Sequence, residues 1–209
     1  MTQRPFTLTN QAISDSINNW KNISRDGKAL VTYFEQGNCF FFDISNYSAS
    51  SSTEITEDIH AYPGIYNDSL IFMLIPSQYD NEAYAKDISQ YVSVSPVFWS
   101  LGGGRIPEGE AKHRMERWNN HYKTWVPKQA ETADGIFLAF KIDAEDFEMP
   151  DSQVNFALRA NLDDPFGHAI ADLVVTNKDE TRVFYDDYVE PVPPFSASAS
   201  VESFYLLQL

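Results

Sequence analysis

His168 and Asp172 are the residues of this chain whose types and spacing come nearest to chemistry. Asp172 interrupts the apolar run Ile170-Ala171-Asp172-Leu173-Val174, and on a strand two residues four positions apart lie in phase on one face. A histidine and a carboxylate so placed could act as a ligand pair or as the acid–base couple of a hydrolase, with Asp163 and Asp164 close by in sequence. The plainer expectation is that Asp172 points to solvent from the open face of an antiparallel sheet. If its face is buried instead, the carboxylate requires a partner.

The other three histidines are His60, His113 and His121. On a helix His113 and His121 stand roughly 80° beyond two full turns, so they do not share a face well. No His-Glu-x-x-His pattern occurs, and His113 beside Glu116 and Arg117 is expected on a solvated helix face. Serine nucleophiles lack the Gly-x-Ser-x-Gly elbow. Gly102-Gly103-Gly104 is followed by neither Lys-Ser nor Lys-Thr, so a flexible joint is expected there rather than a phosphate cradle. Tyr185-Asp186-Asp187-Tyr188 lacks the spaced ligands and mid-loop glycine of a calcium loop and is expected to be the acidic rim of a strand. Cys39, the one cysteine, sits in Asn38-Cys39-Phe40-Phe41-Phe42, where a small buried hydrophobe is expected and an internal disulfide is impossible. No residue is therefore assigned as catalytic, and neither a cofactor nor a tightly held transition metal is expected.

Fifteen Lys and Arg against thirty Asp and Glu leave a net charge of −15, which opposes binding to phosphate backbones and to anionic membrane surfaces. The N-terminus has no apolar secretory run, and Leu70 to Pro76 is too short to cross a bilayer, so a cytoplasmic location is expected. Phe, Tyr and Trp are numerous enough (15, 11 and 4) to suggest ring stacking on a ligand, but in a small protein they mostly fill the core.

The elements that would position these groups show an internal echo. Trp20 and Trp118, Asn22 and Asn120, Gly37 and Gly135, Phe42 and Phe140, Ile44 and Ile142 stand at one constant separation. In both places an apolar helix face ending in Trp is followed by a Gly and then by an apolar run closed by Ile. The first helix has Ile13, Ile17, Trp20 and Ile23 on one face, with Thr9 or Asn10 as cap and Asp26-Gly27 as exit; a weaker helix follows up to Gly37. Pro107 opens the matching helix, with Ala111, Met115 and Trp118 on its face and Pro127 as its stop. Strands are expected at Cys39–Ile44, at Ile59–Tyr62 ahead of a Pro63-Gly64 turn, at Leu70–Ile75, and at a return strand within Tyr84–Trp99. In the second half they are expected at Ile136–Ile142, Val154–Leu162, Ala169–Val175 and Thr181–Tyr188. The prolines of Glu190–Pro194 should be extended and unable to continue a ladder, and Val201–Leu209 should dock as a strand on a sheet edge.

The expected fold is α+β, with two similar tandem units, each a helix packed on a small, mostly antiparallel sheet. Residues 1–101 form the first unit, 102–106 a glycine-rich joint, and 107–209 the second unit with its C-terminal strand. The leading functional expectation is a non-enzymatic binding or assembly protein with an unidentified protein or small-molecule partner, as monomer or homo-oligomer. The alternative is a small-molecule-binding module with a pocket between the units, lined by Tyr62, Trp99, Trp118, His168 and Asp172. A hydrolase using His168 and Asp172 is the third reading.

Overall fold

The computed structural model describes residues 7–48, 58–100, 108–160, 168–181, 183–187, 189–192 and 203–209. The expected joint at 102–106, Asp163, Asp164 and the spacer at 196–200 lie outside the described residues.

Helix α1 spans Asn10–Ile23, with the Thr9 hydroxyl accepting from the Ala12 N–H (3.2 Å) and Ile13, Ile17 and Trp20 buried. Asp26 does more than end it. Its carboxylate accepts from the Lys28 and Ala29 N–H groups (3.1 Å each) and so starts α2, Gly27–Phe34. A single turn, α3 (Ser45–Ser48), precedes the long α4 (Glu108–Ala130). The strands are β1 (Cys39–Phe42), β2 (Asp58–Tyr66), β3 (Ser69–Pro76), β4 (Ser93–Pro96), β5 (Ala139–Asp143), β6 (Ser152–Ala160), β7 (Ala169–Lys178), β8 (Val183–Asp186) and β9 (Val189–Val192).

The architecture is α+β with two antiparallel sheets, ordered β1-β6-β7-β8 and β4-β3-β2-β5-β9. The strands are not sorted by half of the chain. β1 pairs with β6, Cys39 opposite Asn155, and β5 pairs with β2, Ile142 opposite Ile59. Alternation along the strands sends Phe40, Phe42, Ile59, Ala61, Phe72, Phe140, Val154, Phe156 and Leu173 into one apolar cluster, which Trp20, Phe34 and Trp118 join from the helices. The other face of the five-stranded sheet is covered by Ile13 and Ile17 of α1 over Tyr62, Ile71 and Met73. On the four-stranded sheet, Ala111 and Met115 of α4 cover Ala157 and Val174. One seam between the sheets is closed by Cys39 and Phe98, each donating its N–H to the other's carbonyl (3.3 and 3.0 Å). Gly37 stands beside that seam, where a Cβ would lie 2.4 Å from the Phe98 nitrogen, so the close approach of the two backbones requires glycine.

Four local expectations are overturned, three of them at prolines. β2 runs straight through Pro63-Gly64, because β5 covers it only from Asp58 to Ala61 and no ladder bond to that neighbour is required at Pro63. The hairpin turn lies instead at Asn67-Asp68, both at positive φ (48° and 58°), as a two-residue loop matched to strand twist demands. Helix α4 continues past Pro127 to Ala130. Gly27 makes room for that proline, since a Cβ there would stand 2.5 Å from the Pro127 Cα. Pro191 does sit in a ladder, opposite Phe140, on the edge strand β9 where a missing N–H is tolerated. The C-terminal segment docks, yet Tyr205–Gln208 is a short 3-10 turn lying on a sheet face, with Phe204 and Leu206 buried in the α1 cluster. Among the described residues no helix is long and apolar enough to cross a membrane.

Candidate functional site

Two strands carry cations in the middle of apolar runs, Lys141 on β5 and Arg159 on β6. Alternation explains both. Phe140, Ile142 and Leu158 point into the core, so Lys141 and Arg159 emerge on the opposite faces. The short β8 pairs only with Val175–Lys178, and β9 approaches β7 beside it. Near this second seam lies an open cleft of about 380 Å³, lined by Asp58, Lys141 and Asp143 from one sheet, Arg159 from the other, and Arg114 of α4 with Asp187 and Glu190.

Arg114 links the cleft to the interior. Its Nε–H donates to Glu110 (3.1 Å), one turn earlier on α4, and its Nη1 group donates both to the exposed side of the network at Asp187 (2.5 Å) and to Asp172 (3.0 Å). Asp172, with its side chain fully buried, is on the β7 face covered by α4, directly opposite Ala157 and one diagonal step from Arg159. Burial pushes its carboxyl up to about 7; the charges of Arg159 and Arg114 partly offset this, while Asp187 adds to it. Among the described residues its Oδ1 has no hydrogen-bond partner. On the far wall Lys141 pairs with Asp58 (3.2 Å), and Asp143 accepts from the Glu145 N–H (2.9 Å). Arg159, one diagonal step from Asp172 across the β6–β7 ladder, is the largest of the charges that favour the Asp172 carboxylate.

The expectation that Asp172 points to solvent is therefore corrected: it is buried, and its partner is Arg114 of α4. His168 is exposed, just ahead of β7. Tyr62 is buried under the C-terminal segment, and Trp118 lies in the core against Phe34 and Phe156. Trp99 is 53% exposed, donating its Nε1–H to the Glu35 carbonyl (3.0 Å). Only Asp172 of these five belongs to the charged network. Arg114, Lys141 and Arg159 were missed. The legible signal was a cation interrupting an apolar strand, as in Ala139-Phe140-Lys141-Ile142 and Leu158-Arg159-Ala160.

A second polar cluster has the composition of an acid–base pair but no access. His60 Nδ1–H donates to Asp80 (2.7 Å), the Tyr62 hydroxyl donates to the same oxygen, and the Leu206 N–H donates to the other (3.1 Å). Phe204 stacks on the His60 ring at 4.1 Å and all five residues are buried. Their geometry anchors the chain's end. The Cys39 thiol is buried and pushed up to about 12, chiefly by burial, so it is no nucleophile. His113 and Glu116 form an exposed pair at 3.9 Å on the solvated face of α4.

The raised Asp172 sets a sign for pH dependence. The folded state binds its proton more tightly than the unfolded chain, so the associated stability is full below the ordinary carboxylate range and is lost as pH rises through about 7. Between about pH 4 and pH 8, urea midpoints of the wild type should fall more steeply than those of Asp172→Asn. Parallel profiles would show that burial does not govern this group.

Comparison with protein-family models, with curated proteins and with solved structures finds no match to the chain.

Proposed function

We propose that the chain is a non-enzymatic binding protein whose ligand is a small charged molecule held in the cleft beside the β7–β9 seam. The observation that carries this reading is an open cleft lined almost entirely by charged side chains, with Arg114, Lys141 and Arg159 among them. A guanidinium lining a cleft offers its fork of donors to a ligand's acceptor oxygens. The cleft's volume falls toward the small end for ligand sites, which suits a metabolite-sized molecule rather than a polymer. Asp172, the carboxylate once open to an acid–base role, is engaged by Arg114.

The architecture we propose behind this site is a duplicated α+β unit whose two copies have exchanged a strand. Supporting it, the orders β1-β6-β7-β8 and β5-β2-β3-β4 run alike, α1 packs on β2 as α4 packs on β6, and Trp20 and Trp118 share one core. Superposing α1, β2, β3, β4 and β5 on α4, β6, β7, β8 and β1 tests it; disagreement in strand direction or helix placement would remove the duplication.

Binding is tested by thermal melting of the full chain against small carboxylates, phosphates, amines and amino acids. At least one class should raise Tm by a few degrees, as ligand present at roughly 100 times its Kd contributes about 2.7 kcal/mol. That gain should shrink in Arg159→Ala. No shift with any class would overturn the reading.

A further inference from the structure

Two of the guanidinium groups that line the cleft answer to one carboxylate behind it. Arg114 and Arg159 reach the cleft from α4 and β6, whereas Asp172 lies on the β7 face that α4 covers, its side chain without exposed surface. Arg114 bonds Asp172 directly (3.0 Å), and Arg159 stands one diagonal step away across the β6–β7 ladder. Other charged or titratable groups surround this set. From α4 comes Glu110, bonded to Arg114 (3.1 Å), while Arg117 is turned to the Leu158 carbonyl (3.0 Å). From the β8 side come Asp187, on the same Arg114 nitrogen, and Tyr185, which packs with Ala157 and Val174. Glu190 of β9 lines the cleft in front, and His168 stands exposed just ahead of β7.

A carboxylate so placed is the internal counter-charge of both guanidinium groups. When a proton from solvent settles on an Asp172 oxygen, that charge disappears and the field at the Arg114–Arg159 wall becomes more positive. Conversely, an anion bound at the wall is a like charge close to Asp172 and favours its neutral form. The two events therefore promote one another by the same factor. Burial has already pushed the Asp172 carboxyl up to about 7, so its proton can be gained and lost near neutral pH. Resting on the reading of this cleft as the binding site, we propose that its ligand is a small anion held by Arg114 and Arg159, and that its binding is coupled to a proton on Asp172. The guanidinium forks supply donors to the anion's oxygens. Asp58, Asp143, Asp187 and Glu190 oppose an anion in this cleft, and the proton tips the balance toward filling it. Affinity is then full below about pH 7 and falls as pH rises past that value, until the bound form also loses the proton.

Calorimetric titration of the full chain at low salt tests this with sulfate, methanesulfonate and oxalate, whose charges stay fixed over the range used, about pH 6 to 8.5. At least one should bind about tenfold more tightly at the lower limit than at the upper. In buffers of different ionisation enthalpy, the wild type should take up roughly half a proton per anion near about pH 7.5 and little at the lower limit. Asp172→Asn, which stays neutral and still offers Arg114 an acceptor, should bind at the upper limit as the wild type does at the lower, with the proton uptake gone. Arg159→Ala should weaken binding at the lower limit about tenfold. Circular dichroism and melting establish that each variant folds as the wild type does, and the wild-type uptake tests the coupling even where a variant does not fold. An anion that binds the wild type without proton uptake, or with an uptake undiminished in Asp172→Asn, overturns the coupling while leaving the cleft a binding site. If no anion binds while the melting screen finds another class, the proposed class is overturned and the reading of the cleft stands; if that screen finds nothing, both fail.

Discussion

Phe34→Ala should unfold at a Tm on the order of 10 °C below the wild type, the consequence of losing about 3–5 kcal/mol from a fully buried aromatic position. Phe34 has no exposed surface, and its ring lies 5.0 Å from Trp118, 5.6 Å from Trp20, 5.6 Å from Phe156 and 5.8 Å from Phe137. Three of the four contacts are edge-on, at 82° or more, and the fourth is tilted at 58°, geometries that aromatic quadrupoles favour. Those neighbours come from α1, α4, the approach to β5, and β6, which are otherwise separate layers. Removing the ring leaves a cavity that none of these rigid elements can fill. Phe34→Leu, which keeps most of the volume, should cost about 1–1.5 kcal/mol. Urea denaturation measures both, and an Ala variant within about 1 kcal/mol of the wild type would show that the aromatic cluster is not the centre of the fold.

Asp80→Ala is expected to be nearly as damaging, by about 3–5 kcal/mol, for an electrostatic rather than a packing reason. The carboxylate is the common acceptor for His60, Tyr62 and the Leu206 N–H in a place from which water is excluded. Truncating it leaves three buried donors unpaired. Desolvation and the Asp80 charge together already hold the Tyr62 hydroxyl well above its ordinary range, a sign of how dry this cluster is. Asp80→Asn keeps one acceptor oxygen and should fall between the two. Because one of the lost bonds holds residue 206, limited proteolysis should release the C-terminal residues from Asp80→Ala faster than from Phe34→Leu. Equal release rates would mean that Phe204 and Leu206 hold the segment by apolar burial alone.

Several of these features were legible in the sequence, for reasons of range. The face of α1 and its Thr9 cap follow from spacing within four residues, and Cys39 in an aromatic run is buried as read. Prolines were misread because their effect depends on what lies alongside. Pro63 is tolerated where β5 has ended, Pro127 where Gly27 yields space, and Pro191 on an edge. Asp172 was singled out correctly as a carboxylate needing an explanation, yet its partner was not His168, four residues away, but Arg114, which only the packing of α4 on the sheet brings near. The cleft is still less local: Asp58, Lys141, Arg159 and Asp187 come from four segments whose meeting depends on strand order.

The crossing of strands between the halves has a consequence for synthesis of the chain. A ribosome delivers β2, β3 and β4 long before β5, and β1 long before β6, so Ile59 waits for Ile142 and Cys39 waits for Asn155. Such distant pairings make folding slow, because loop closure must precede any gain from contact. Until the second half emerges, the nascent chain carries the β2 edge and the aromatic side of β1 uncovered, and both are templates for the wrong partner. A chain stalled near residue 101 should accordingly bind holdase chaperones and resist release. Supplying residues 107–209 as a separate polypeptide should rescue it, each fragment lending the other the strand it lacks.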